Sequence, residues 1–389
     1  MSIALGGGKP DQVPIVPIYD MGYVMHSTGR DIREWMTATA AARIEAIEEN
    51  FLRHPAVDGF FVHGGTTDAW AERHAVERLD RYWRVTDLQT GESFGLLPDG
   101  SRCLPDGTAV PRQGQGIGAE SRLKTPEDIE RVLGARPSAN ASAASGRFGP
   151  LRYLAEKYPD RHFSTQTSTP MVHALNACGG YVPGLTTMAS DPALYRKLLA
   201  RLAEDTCALM APAQRAGADS TWFTCFYTGA DTIAPRDYAE LVYPYDRMIC
   251  EEARRQGLYV LNWYLGDLMP NLDKVMELPI DALVLEQGRK GYVIDPVEIR
   301  RRVGPAFCLF GFGYENDFCT FDRQRLADEL SRQIGGAGRD GAFIAGTPIM
   351  PPNARPEAVE FYFSAARRLG QYGDWRAPVA EHSPALVGG

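Results

Sequence analysis

The chain has 389 residues, of which 44% are hydrophobic and 23% are charged, the balance of a folded globular protein, and this excludes a disordered or collagen-like chain. Its 49 acidic side chains outnumber 41 basic ones, which gives a formal net charge of −8. An acidic chain has no general electrostatic attraction to a phosphate backbone, so nucleic acid is not expected as a partner.

Eight short apolar runs recur along the chain and predict β-strands. They span residues 13–19, 57–62, 162–167, 220–226, 258–263, 281–285, 306–312 and 341–345. Apolar residues at a spacing near 3.6 predict helices between most of them, at residues 31–53, 192–215, 235–256 and 322–334. Strands that alternate with helices favour a parallel sheet, and eight such units in this length predict an α/β protein with a (β/α)8 TIM barrel.

Residues 81–115 interrupt this alternation. Turn signals at Thr90-Gly91, Pro98-Asp99-Gly100 and Pro105-Asp106-Gly107 predict β-hairpins, inserted after the second strand at about residues 80–116. The small polar residues 137–145 predict a surface linker. We therefore expect a single barrel domain over residues 1–373, followed by a poorly ordered C-terminal tail over residues 374–389.

The sequence also carries indications of cellular location. Its seven cysteines show no CxxC spacing, and an odd count in a large chain predicts reduced thiols in the cytoplasm. No apolar run approaches the roughly 20 residues that a membrane helix needs, and the first residues lack the pattern of a signal peptide. We therefore expect a cytoplasmic protein without membrane contact.

The active site of a (β/α)8 barrel lies at the C-terminal ends of its strands, so the residues that follow each strand are the candidates. Carboxylates and histidines are the usual proton-transfer groups. The candidate catalytic residues are Glu286 after the sixth strand, Glu315 after the seventh and His63 after the second. The candidate substrate-binding residues are Asp20, His26, Arg30, Tyr227, Asn262, Trp263, Tyr264, Asn316 and Thr347. This partly aromatic set suits a small polar or aryl molecule.

Each candidate also has a structural interpretation that the sequence leaves open. Glu286 is alternatively an ion-pair partner of Arg289 or Lys290. His63 is alternatively a structural histidine, and Arg30 a solvated residue at a helix start. Trp263 and Tyr264 alternatively pack the barrel. The histidine and cysteine spacing shows no metal motif, so whether a metal is bound, with Glu286, Glu315 and His63 as ligands, stays open.

Several segments resemble the uroporphyrinogen decarboxylase (URO-D) superfamily. They are VPIVPIYDMGYVMHSTGR near the start, APRDYAELVYPYDRMI from residue 234, DALVLEQG from 281 and GAFIAGTPIMPPNARPEAVEFYF from 341. The resemblance covers about residues 12–373, and the second segment is its most specific part. It implies a (β/α)8 barrel, a homodimer and a pocket at the C-terminal ends of the strands.

The chain departs from the motifs of both chemistries in that superfamily. The RQAGR-type motif of the decarboxylases reads HSTGR, so that only Arg30 matches and His26 replaces the first arginine, while His63 stands near the position of their aspartate. Their GHG motif reads Gly346-Thr347-Pro348. The zinc motif HxCG of the cobalamin-linked methyltransferases reads Trp263-Tyr264-Leu265-Gly266, and their GCG motif also falls on residues 346–348. The resemblance therefore implies a divergent member without that zinc site.

Three functions remain open. The first is a methyltransferase that passes a methyl group from a small compound to a corrinoid protein, with Glu286, Glu315 and His63 assisting the leaving group and Trp263, Tyr264 and Tyr227 holding the substrate. The second is a cofactor-free decarboxylase or lyase, in which Arg30 and His26 anchor a carboxylate while His63 or Glu286 protonates the carbanion. The third is a non-catalytic barrel that binds a small molecule.

Overall fold

The structure is a computed structural model, and it describes residues 1–62, 67–108, 120–136, 138–288 and 291–372. Its β-strands are numbered here in chain order. They are β1 (Ile15–Tyr19), β2 (Gly59–Phe61), β3 (His74–Arg78), β4 (Trp83–Asp87), β5 (Ser93–Leu96), β6 (Arg102–Cys103), β7 (His162–Ser168), β8 (Ser220–Cys225), β9 (Tyr259–Tyr264), β10 (Ala282–Val284), β11 (Cys308–Phe310) and β12 (Phe343–Met350).

Eight of these strands form a nearly closed parallel barrel with the order β1–β12–β11–β10–β9–β8–β7–β2. The two end strands lie side by side, because the amide of Asp58 donates to the carbonyl of Ile15 at 2.9 Å and the amide of Ile15 donates to Asp58 Oδ2 at 2.8 Å. Each predicted strand overlaps one of the eight. The prediction of a (β/α)8 barrel is therefore confirmed.

Helices surround the barrel, and they are likewise numbered in chain order. They are α1 (Ser2–Leu5), α2 (Met21–Ser27), α3 (Ile32–Thr37), α4 (Ala40–Arg53), α5 (Asp68–Arg73), α6 (Pro126–Leu133), α7 (Ala139–Ala144), α8 (Gly149–Lys157), α9 (Pro170–Cys178), α10 (Tyr181–Ser190), α11 (Pro192–Cys207), α12 (Met210–Arg215), α13 (Pro235–Asp237), α14 (Tyr243–Arg255), α15 (Leu272–Val275), α16 (Pro296–Val303), α17 (Glu315–Thr320), α18 (Arg323–Ala337) and α19 (Pro356–Leu369). None of the helices in the described residues is long and apolar enough to cross a membrane.

Two of the predicted helices are each divided in the structure. The helix predicted over residues 31–53 becomes α3 and α4, because Thr39 adopts an extended backbone and its side chain caps the amide of Ala42. The helix predicted over residues 192–215 becomes α11 and α12. Asp191 caps the start of α11, since its side chain accepts from the amide of Leu194 at 3.0 Å. A π-helical turn, Tyr238–Val242, joins α13 to α14.

The predicted hairpin insertion is an antiparallel sheet of four strands in the order β3–β4–β5–β6. It begins at His74, earlier than predicted, and residues 109–116 of the predicted insertion lie outside the described residues. Its turns contain Gly91, Gly100 and Gly107 at φ +74°, +78° and +84°, a conformation that glycine adopts without steric cost. The linker prediction for residues 137–145 is wrong, because the alanine-rich stretch forms α7.

Aromatic side chains fill the interior of the barrel. The Trp222 ring lies edge-on to the rings of Phe61, Trp263 and Phe310, with centroids 5.5 to 5.8 Å apart. Ala4 and Leu5 of α1 join the same buried cluster. The chain just after α1 approaches the starts of the last two strands, since the carbonyl of Gly8 accepts from the amide of Ala342. Helix α1 therefore covers the N-terminal end of the barrel, and the C-terminal end is left for a site.

Candidate active site

The two predicted catalytic carboxylates lie at the ends of neighbouring strands. Ala282 and Val284 of β10 face the barrel interior, and the alternation along the strand directs Glu286 to the same side. Glu286 is only 4% exposed, and its Oε1 accepts from the amide of Gln287 at 2.9 Å. Glu315, half-buried, begins α17 shortly after β11, which pairs with β10. The C-terminal end of the barrel thus holds a buried carboxylate beside a second, more accessible one.

Gln287 connects these two strand ends, although it is not among the predicted site residues. Its Oε1 accepts from the amide of Glu315 at 3.2 Å. The amide side chain therefore fixes the start of α17 relative to the end of β10. The sequence signal for it is its position directly after Glu286 in the segment LVLEQG.

The third predicted catalytic residue, His63, lies outside the described residues, as do Arg289 and Lys290. The assignment of His63 as a proton-transfer group therefore stays a prediction. So does the alternative ion pair of Glu286 with Arg289 or Lys290.

Three predicted substrate-binding residues share one cavity at the end of β1, which we name the β1 cavity. Its volume is about 350 Å³. Asp20, His26, Arg30 and Asp31 line it, together with Pro98-Asp99 from a turn of the inserted sheet. The sheet thus closes one side of the site. A cavity of this volume is large enough for a drug-sized molecule.

The β1 cavity carries more negative than positive charge. Asp20 caps α2 by accepting from the amide of Gly22 at 2.7 Å, and Asp31 is bonded to Arg33. Arg30 is the cation that lines the cavity, and its Nη1 already contacts Glu49 Oε2 at 2.5 Å. The lining therefore disfavours a ligand with several carboxylates and suits a neutral or cationic one.

The predicted aromatic residues separate into two environments. Tyr227, which follows β8, is 42% exposed and sits at φ +62°, with its ring 5.5 Å from that of Tyr181. Trp263 is 3% exposed and packs within the barrel interior, where its ring centroid is 6.3 Å from that of Phe226. Tyr227 is thus accessible to a ligand, whereas Trp263 contributes mainly to the packing of the interior.

Four other predicted substrate-binding residues are directed elsewhere. The Asn262 side chain donates to Cys225 Sγ, and the Tyr264 hydroxyl donates to the carbonyl of Thr228 at 2.8 Å, both behind the barrel strands. The Thr347 hydroxyl is buried and accepts from the amide of Ile18. Asn316 is exposed on α17. The side chains of Asn262, Tyr264 and Thr347 are therefore bonded within the protein, and Asn316 is exposed to solvent.

The motif positions of the zinc-dependent relatives do not fit that metal in this chain. Position 263 holds a buried indole, position 265 an aliphatic side chain and position 347 a hydroxyl that is already bonded. Within the described part of the chain, no group of three or more His, Cys, Asp and Glu side chains is arranged to hold a metal ion. We derive no reaction step through zinc.

Comparison with known proteins agrees with this architecture. The family model described as uroporphyrinogen decarboxylase (URO-D) matches residues 114–369. No curated protein sequence matches the chain. Among solved structures, a methyltransferase from Methanosarcina mazei is similar with a TM-score of 0.63 and 14% sequence identity, over 94% of this chain and 96% of that chain. At this identity, the similarity shows a common fold.

Proposed function

Because the chain belongs to the uroporphyrinogen decarboxylase (URO-D) family, we propose that it is a methyltransferase, which passes a methyl group from a small compound to a corrinoid protein. The charge of the β1 cavity carries this proposal. Among the described residues, three carboxylates and one guanidinium line it; Asp31 is paired with Arg33 and the guanidinium with Glu49, so the acidic side chains outnumber the basic one. A tetrapyrrole with several carboxylates would be repelled there, while a neutral or cationic methylated compound would not. The similar structure from Methanosarcina mazei is itself a methyltransferase.

The proposed reaction needs a group that assists the leaving atom. When a methyl group leaves an oxygen, nitrogen or sulfur atom, that atom keeps the bonding electron pair and is stabilised by a proton or a positive charge. A reduced corrinoid on the partner protein would supply the nucleophile for the methyl group. Glu286 would deliver the proton to the leaving atom, and Glu315, with His63, would assist. Tyr227 would contact the substrate at the entrance, since it is the accessible member of the aromatic set.

One observation favours a second function, a cofactor-free decarboxylase or lyase. His26 and Arg30 line the same cavity, as an anchor for a single carboxylate requires. In this reaction, the bond from the substrate carbon to the carboxylate breaks, and Glu286 or His63 protonates the carbanion that remains. The ion pair between Arg30 and Glu49 competes with such an anchor, so we place this function second.

The two functions are distinguished by omitting the corrinoid. Purified protein is mixed with a panel of methyl ethers, methylamines, methyl thioethers and small carboxylic acids, with and without reduced corrinoid. The demethylated or decarboxylated product is quantified by mass spectrometry. Methyl transfer predicts product only when corrinoid is present. Turnover of a carboxylic acid without corrinoid, with release of carbon dioxide, would establish the lyase. Saturable binding without any turnover would indicate a non-catalytic barrel.

The family resemblance also implies a homodimer. We propose this assembly as well, and sedimentation velocity measures it directly. A mass near twice that of one chain at micromolar concentration is expected, whereas a single monomeric species would contradict it.

A further inference from the structure

A second cavity lies beside the C-terminal end of β7, and we name it the β7 cavity. Its volume is about 220 Å³. Gln166, Thr167 and Ser168 from the end of β7 line it, together with Arg147 ahead of α8 and His173 of α9. None of these residues lines the β1 cavity. The cavity therefore has a chemistry of its own.

The charge of the β7 cavity is positive. Arg147 lines it, and none of the described residues that line it is acidic. Among the described residues, no Asp or Glu lies within ion-pair distance of the Arg147 guanidinium. Its Cζ lies 5.8 Å from the centroid of the Phe148 ring. Arg30 in the β1 cavity, by contrast, is paired with Glu49. An unpaired guanidinium that lines a cavity attracts an anion.

Water reaches this arginine even though protein surrounds it. The side chains of Arg147 and His173 are exposed, yet their surroundings lower the pKa of both, mainly through desolvation. Arg147 further lowers the pKa of His173, so His173 is neutral at neutral pH and has one ring N–H to donate. The two residues thus line a cavity that is open to solvent and partly enclosed by protein.

The rest of the lining indicates the body of the ligand. Val62, Phe148, Leu151 and Leu209 supply the apolar part of the lining. A cavity of about 150 Å³ is known to hold benzene, so a volume of about 220 Å³ has room for one ring and a carboxylate. We propose that the β7 cavity binds a small carboxylate with an apolar body, whose carboxylate is held by Arg147 and the polar residues at the end of β7.

This inference does not depend on the proposed methyl transfer. It concerns binding alone, and it adds a recognition site for one carboxylate at the end of β7, which β2 separates from β1. It holds whether the carboxylate belongs to the substrate or to a separate ligand.

Isothermal titration calorimetry with benzoate as the probe tests the proposal without corrinoid or turnover. We expect benzoate to bind the full-length protein and neutral benzamide to bind at least tenfold more weakly. This comparison of two ligands uses the wild-type protein alone. In Arg147→Gln, the benzoate Kd should rise about tenfold to hundredfold, the range for loss of a charge-assisted hydrogen bond. Arg152→Gln, an exposed arginine of α8 that does not line the cavity, is the matched control and should bind as the wild type does.

Three results would overturn the proposal. They are no benzoate binding by folded wild-type protein at millimolar concentration, equal affinity for benzoate and benzamide, and an unchanged Kd in Arg147→Gln. Circular dichroism of each variant confirms that it is folded. A negative result in the methyl-transfer assay would not change these binding results. Each of the two proposals can therefore be contradicted without the other.

Discussion

The Thr347 side chain replaces a backbone hydrogen bond that is missing between β1 and β12. Pro17 and Pro348 have no amide hydrogen, and the pairing of β1 with β12 shifts register between Val16 and Ile18. The Thr347 hydroxyl accepts from the amide of Ile18 at 2.9 Å and donates to the carbonyl of Pro348 at 2.9 Å. A buried amide that would otherwise be unsatisfied is thereby paired.

Replacement of Thr347 by valine should therefore affect stability more than catalysis. The change leaves the buried Ile18 amide without its acceptor, at a cost of about 1–3 kcal/mol in the free energy of unfolding. Urea denaturation followed by fluorescence measures this cost. Thr347→Ser keeps the hydroxyl and should lose clearly less. A fall in kcat of more than tenfold at unchanged stability would instead show that Thr347 acts on the substrate.

At the scale of elements, a buried carboxyl joins two of the outer helices. Asp246 lies fully buried on α14, and its Oδ1 accepts from the hydroxyl of Thr169, the residue that caps α9, at 2.6 Å. Desolvation raises the pKa of Asp246 to about 7, although the hydrogen bond from Thr169 lowers it in part. This contact fixes α9, which follows β7, against the long helix that covers β8 and β9.

The raised pKa of Asp246 predicts that stability falls as pH rises. The folded state holds its proton up to about pH 7, whereas the unfolded chain releases it near pH 4, so folding binds a proton between these values. The contribution is largest below pH 4 and is lost as pH rises toward 7. Asp246→Asn keeps a hydrogen-bond acceptor for Thr169 and has no proton to lose.

Thermal or urea unfolding from pH 4 to pH 8 checks this prediction. The stability of Asp246→Asn relative to wild type should increase across the range by up to about 4 kcal/mol, which corresponds to the shift in pKa. Asp273→Asn, a variant at an exposed carboxylate, is the control and should follow the wild type. If the Asp246→Asn and wild-type profiles ran parallel, Asp246 would not be the titrating group.

For the whole molecule, the two ends of the barrel differ, and the candidate site lies at only one of them. The interior is filled by Trp222 and its aromatic neighbours, and α1 covers the N-terminal end with Ala4 and Leu5. The C-terminal end carries Glu286, Glu315 and both cavities. Stability and ligand binding are thus assigned to opposite ends, as in other barrels of this kind.

Leu5→Ala should therefore destabilise the protein without changing its active site. Leu5 is buried in the interior cluster, and its truncation leaves a cavity that costs about 2–5 kcal/mol. Ile3 belongs to the same short helix but is 60% exposed, so Ile3→Ala should cost less than about 0.5 kcal/mol. Differential scanning calorimetry separates the two. Equal losses in both variants would mean that α1 does not pack into the barrel.

The sequence predicted the barrel well because each strand is a short apolar run between polar segments, and all eight were found. It predicted the site less well, because the alternation along a strand sends adjacent residues to opposite sides. Trp263 faces the interior while Asn262 and Tyr264 face the helices. The sequence alone does not tell which residues of a strand face the interior. The ion pair of Arg30 with Glu49 joins residues that are far apart in the chain, so only the structure revealed it.

The rate of methyl transfer in Glu286→Gln tests the central claim most directly, namely that Glu286 delivers a proton to the leaving group. The variant is assayed with reduced corrinoid and the best substrate of the panel described above. Glu298→Gln, on α16 at the surface, is the control. We expect kcat to fall about 10²–10⁴-fold at nearly unchanged KM, because this is the contribution of general acid–base catalysis. The loss in kcat should be smaller for substrates whose leaving group needs no proton. A Glu286→Gln enzyme with the kcat of the wild type would contradict the claim.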